Sequence, residues 1–172
     1  MKKSVSTILL MLILCTIGSA QNFIYKGNNQ YQATNSWSFE LNGHYWTGDP
    51  EFTIAKQPNG GYLMISIDVP FKSNYIGGTV TVFLSDGTII TCTDKGIKDH
   101  VNNKSIALYS FTKAEIERLK SNRITRIRFS IKGGMEGTET FTADNRRMTY
   151  AYYDSDSKSY YETDIAVSEL FE

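Results

Sequence analysis

Residues 88–100 read TIITCTDKGIKDH, and this one stretch holds a cysteine, a histidine, two aspartates and two lysines. A thiol with an imidazole base and a carboxylate to orient it is the constellation of a small hydrolase or thiol enzyme, provided the groups meet in space. Cys92 is the candidate nucleophile, with His100 or the other histidine, His44, as its base. A phosphate-cradling thiolate loop is excluded by the residues themselves. It needs an arginine six positions after the cysteine, and residue 98 is a lysine, whose point charge does not replace a planar guanidinium fork. The competing reading of Cys92 is a small apolar side chain in a buried strand.

The other chemistries fail on spacing. The two histidines are far apart with no HxH or HxxxH pattern, so a zinc site finds no ligand set. Residues 154–158, DSDSK, place Asp154 and Asp156 at alternate positions as a calcium loop does. Lys158 then stands where a third oxygen ligand belongs, and Ile165 where the bidentate glutamate belongs. An irregular cation site at Asp154 and Asp156 is the only metal alternative. The glycine pairs at 60–61, 77–78 and 133–134 make neither a GxGxxG nor a Walker loop and read as turn residues. No cofactor is expected.

Aromatic residues are the strongest compositional signal, with eleven tyrosines, nine phenylalanines and two tryptophans. NGHYWTGDP (42–50) sets Tyr45 and Trp46 in a turn-rich loop, and MTYAYYDSDSKSYY (148–161) sets Tyr152 and Tyr153 beside a polar turn. Flat amphipathic rings on loops above a rigid scaffold stack on sugars or anchor a protein partner. These four residues are the expected ligand-binding set. Tyrosines are also common strand residues that cover core edges, which is the competing reading.

The elements that would position these groups are mostly strands. Trp37, Phe39 and Leu41 alternate with polar residues, as do Leu63, Ile65, Ile67 and Val69, and Ile127, Phe129 and Ile131. These patterns predict half-buried strands, the last with Arg126, Arg128 and Lys132 on its wet face. Candidates at 51–56, 104–110, 137–143 and 147–153 bring the count to about nine. Asp86-Gly87 predicts a two-residue hairpin turn that sets Leu84 opposite Ile89 and Thr81 opposite Cys92, with apolar groups on both faces and hence a central place. Residues 93–100 read as a polar connection. Thr112 and Glu115 form a capping box that starts a short helix over 112–121, with Phe111 and Ile116 as its staple. The tail TDIAVSELFE allows either a C-terminal helix or a strand.

The expected architecture is therefore an antiparallel β-sandwich or partly open barrel with one capped helix. Residues 1–20 read as a cleaved signal peptide: Lys2 and Lys3, an apolar run from Ile8 to Ile17, then Gly18-Ser19-Ala20 before Gln21. Leu14 before Cys15 disfavours lipid attachment. Residues 21–172 then form one domain, with 21–35 irregular. Losing two lysines and no acid shifts the formal charge from zero to −2 with no basic block, which excludes a phosphate-backbone partner. No apolar run is long enough to span a bilayer.

In these respects the chain resembles small exported β-rich bacterial proteins. Its expected destination is the periplasm, the outer membrane or the medium. The leading functional expectation is a non-catalytic module binding a glycan or protein, with a thiol enzyme and a structural envelope component as alternatives.

Overall fold

The computed structural model describes residues 22–43, 47–134, 137–146 and 160–172, and it is mainly β with antiparallel sheets, as expected. The first sheet runs in the order β1 (Asn22–Lys26), β2 (Asn29–Ala33), β5 (Glu51–Gln57), β6 (Gly60–Asp68), β11 (Lys104–Thr112) and β10 (Lys98–Val101), with β3 (Trp37–Ser38) also on β5. The second runs β4 (Glu40–Leu41), β13 (Thr138–Asp144), β12 (Ile124–Lys132), β8 (Val80–Leu84) and β9 (Ile89–Cys92), with β7 (Tyr75–Ile76) on β12.

Alternation explains the main core. Leu63, Ile65 and Ile67 of β6 and Tyr109 and Phe111 of β11 face Val80, Val82, Ile127 and Phe129 of the second sheet in one buried cluster. Phe52 meets Phe129 across the sheets with ring centroids 6.2 Å apart, edge to face. The alternating segment 36–42 is not one strand. It breaks at the fully buried Phe39, so that Trp37 pairs with Phe52 in one sheet and Leu41 with Ala143 in the other. The chain passes between sheets there, as corner strands do.

The β8–β9 hairpin has a different register from the expected one. Val82 faces Ile90 and Val80 faces Cys92. Leu84 N–H donates to the Thr88 carbonyl and Gly87 N–H to the Leu84 carbonyl, so the loop is Ser85-Asp86-Gly87, with Gly87 at φ +85°. Asp86 accepts from the backbone and hydroxyl of Thr88, which favours three loop residues over two. One slipped position changes every facing. Val80, Val82, Leu84, Ile90 and Cys92 share one buried face, while Ile89 and Thr91 are exposed, and β9 is an edge.

Local chemistry reads correctly at α1 (Lys113–Ser121). Thr112 Oγ1 accepts from Glu115 N–H at 3.3 Å and Glu115 Oε2 accepts from Thr112 N–H at 2.7 Å. Phe111 and Ile116 are both buried. Gly60 and Gly61 open β6 rather than forming a turn, and a side chain at 61 would strike Ile116 Cδ1. The tail is a helix, α2 (Thr163–Phe171), docked by Val167 and Leu170.

Two segments expected to be irregular are strands. Residues 22–33 form the β1–β2 hairpin around Gly27 at φ +59°, and Lys98–Val101 pairs with β11. The strand expected at 147–153 lies outside the described residues.

Asn145 joins the tail to the second sheet. Its Nδ2 donates to the carbonyls of Ile124 (2.7 Å) and Tyr161 (2.9 Å), and its Oδ1 accepts from Tyr161 N–H (2.8 Å). Thr163 Oγ1 accepts from Ile124 N–H at 2.8 Å beside it. Replacing Asn145 by Ala leaves three backbone groups without these partners, and we expect a loss of about 2–3 kcal/mol, read from urea unfolding midpoints. Unchanged midpoints would refute this role.

Candidate functional site

The structure separates the thiol from its proposed base. Cys92 is buried on β9 of the second sheet and His100 is half-buried on β10 of the first. Burial pushes the Cys92 thiol up to about 12, with the Glu115 carboxylate adding to the shift, so the group is protonated at neutral pH. His100 instead lines a shallow polar hollow with Lys72, Asn102 and Asn103. Residues His44, Tyr45, Trp46, Tyr152, Tyr153, Asp154 and Asp156 lie outside the described residues. No group of three metal-ligating side chains gathers among the described ones.

What the fold does assemble is a gap that sequence reading missed. The first sheet curls into a half-barrel. Its convex-side partner is the second sheet. Its hollow side holds a second apolar cluster of Ile24, Ala33, Ala55, Tyr62 and Leu108, with Tyr31, Met64 and Ile97 against it. β6 is therefore buried on both faces over most of its length, where alternation predicts one.

Along this sheet's path the β2–β5 junction is the shortest pairing. It rests on the pair Ala33–Ala55, extended by Thr34, whose N–H donates to Ile54 O (2.9 Å) and whose Oγ1 accepts from Ile54 N–H (3.1 Å). Ile24 of β1 shares a buried cluster with Tyr62, and Tyr31 meets that ring edge-on at 5.2 Å.

The sheet stops short of closing. Edge strands β1 and β10 face one another across an open gap of about 490 Å³, within the size range of small-ligand sites. Ile24, Met64, Ile106 and Leu108 form the floor. Phe23, Tyr25 and Lys26 stand on one rim, and Ile97, Lys98, Asp99 and Val101 on the other. Phe23, Tyr25 and Val101 are 42%, 71% and 47% exposed, a concentration of accessible apolar groups beside an apolar floor.

Asp94 fixes the β10 rim. Its carboxylate accepts from the N–H groups of Gly78 and Gly96, each at 2.7 Å, and lies 3.5 Å from Lys98 Nζ. Lys98 in turn sits 4.3 Å from the centre of the Tyr75 ring. Tyr109 OH donates to the Gly78 carbonyl at 3.1 Å, so the clamp ties the second sheet's loop to β11 and β10. Partial burial raises the Asp94 pKa, but the two backbone donors and Lys98 outweigh it and hold the carboxyl below its ordinary value.

These features define a two-sheet antiparallel β protein with one open half-barrel and an apolar gap between its edges. Comparison of the chain with protein-family models, curated proteins and solved structures gives no significant match. No described helix is long and apolar enough to cross a membrane. The alternation of Phe23 and Tyr25 with Asn22, Ile24 and Lys26 before Gly27-Asn28 was the available signal for the β1 rim, diluted by the polar residues of β2.

A carboxyl whose folded pKa is depressed contributes stability above its unfolded pKa and loses it as pH falls through the folded one. Asp94→Asn should therefore cost about 1 kcal/mol at pH 7, solvent screening included. The difference from the parent should shrink below the ordinary carboxylate value near 3.8. Unfolding midpoints from pH 7 down to pH 2.5 check this, and a difference independent of pH would contradict it.

Proposed function

We propose that the protein is an exported, non-catalytic binding module whose ligand lies in the gap of the half-barrel. The observation that carries this reading is the gap itself, an apolar floor between two strand edges on which Met64 and Ile106 are only half-buried. Leaving such a floor open costs the chain apolar burial, and a ligand recovers it. The buried, protonated thiol of Cys92 supports binding over thiol chemistry. Export rests on the basic, apolar and small-residue segments of residues 1–20, with the periplasm, the outer membrane or the medium as destination.

Tyr45, Trp46, Tyr152 and Tyr153 offer a competing location for a glycan or protein, and mutagenesis separates the two. The exported chain, expected to begin at Gln21, should bind the uncharged apolar dye N-phenyl-1-naphthylamine saturably, with enhanced fluorescence. Ile106→Glu should weaken binding at least about tenfold by placing a carboxylate on the floor. Val101→Glu, at an exposed rim position, keeps the test open should the first variant not fold. Cys92→Ala and Tyr45→Ala/Trp46→Ala should bind as the parent does. Loss of binding in the loop variant alone would move the site to the loops, and no saturable binding at all would sink the reading.

A further inference from the structure

We infer that the occupant of the gap is a free anionic amphiphile: one unbranched alkyl or acyl chain ending in a carboxylate or phosphate. The head lies at Lys26 and Lys95 and the chain runs toward Val101. This rests on the preceding reading of the gap and adds the ligand's chemistry and its direction.

Strand register orders the gap along its length. Tyr62 pairs with Ser110 at one end; Met64 with Leu108 comes next, where Leu108 N–H donates to Ile97 O; then Ser66 with Ile106, opposite Asp99; and Val101 with Lys104 lies beyond. At the Tyr62 end a second hollow of about 330 Å³ adjoins the gap, shares Lys26 and Ile97 with it, and adds Lys95, Gln57 and Asn59. One end of the combined site is thus cationic and amide-rich, and its middle is apolar.

The charges along the site are unevenly satisfied. Lys26 is half-buried, with its Nζ 3.0 Å from Tyr62 OH and 4.8 Å from the centre of that ring. It stands in no ion pair among the described residues, and neither does the exposed Lys95. Lys98, by contrast, is engaged by Asp94 and Tyr75. The rim's one acid, Asp99, lies toward the Val101 end, and its Oδ1 accepts from His100 N–H at 2.7 Å. An anionic head is therefore drawn to the Lys26 end and repelled from the Asp99 end, while its chain covers Met64, Leu108 and Ile106.

An extended polypeptide fits less well. Every neighbouring pair from β1 to β10 is antiparallel, so the two edges run oppositely, and one inserted strand would be antiparallel to only one of them. On the β10 edge the His100 N–H is already taken. A free chain is favoured over a bilayer because the floor is recessed between two strand edges and its volume matches a single small ligand.

Isothermal titration with sodium dodecanoate, dodecyl phosphate and dodecyltrimethylammonium, all below their micelle concentrations, tests the inference. The two anions should bind at one site, at least about tenfold more tightly than the cation of equal chain length. Affinity should rise about fourfold per methylene from octanoate to dodecanoate. Lys26→Gln/Lys95→Gln should weaken dodecanoate binding about tenfold and remove the preference for the anion over dodecyltrimethylammonium. Equal affinity for anion and cation, or an unaffected lysine variant, overturns the inference. So does binding only to phosphatidylglycerol vesicles or only to extended peptides. Dye binding without dodecanoate binding overturns the ligand class and leaves the gap as the site; failure of both removes the two together.

Discussion

Strands β6 and β11 carry apolar side chains on both faces, and the need to cover the two faces organises the molecule. Leu63, Ile65, Tyr109 and Phe111 demand a partner layer, and the second sheet supplies it. Tyr62, Met64, Ile106 and Leu108 point the other way and demand a second cover. The described residues form no third sheet to cover them. The chain answers by curling the first sheet on itself, so that β1 and β10 lean over their own hollow face. Each large side chain so covered contributes about 1.5–3 kcal/mol, which is ample to bend a sheet whose β2–β5 junction is a pair of alanines.

The cover is incomplete, and from that incompleteness comes the candidate site. Closing the barrel directly would have paired β1 with β10 and removed both edges. Instead β10 is held by Asp94, Lys98 and Tyr75 against the second sheet, and β1 is held by Ile24 and by Lys26 on Tyr62. Each edge is thus committed to a different neighbour. Both are short and carry charged residues, which blunts them against pairing with other chains while leaving the floor reachable.

Legibility in the sequence followed the range of the interaction. The capping box at Thr112 and Glu115 was readable because its bonds lie within four residues, and the strands of the main core were readable because alternation is local. The β8–β9 register was not, since choosing between two and three loop residues depended on Asp86 bonding Thr88 rather than on the Asp-Gly pair alone. The β1–β2 hairpin was missed because β2 is mostly asparagine and glutamine, and residues distant in sequence, Tyr62 and Leu108 among them, help give Ile24 a place to be buried. The loop residues chosen from composition, Tyr45, Trp46, Tyr152 and Tyr153, lie outside the described residues, while Phe23 and Tyr25, on the gap's rim, were passed over.

By itself the sequence determined that this is an antiparallel β protein with a capped helix, because side-chain period and local hydrogen bonding are written along the chain. Tertiary structure alone decided that Cys92 is sealed in the core apart from His100, since an eight-residue separation along the chain says nothing about which sheet each residue joins. It alone decided, too, that residues 23–26 and 97–101 face each other across a gap. That juxtaposition is produced by the curl of a six-strand path, and curl is a property of the packed sheet as a whole.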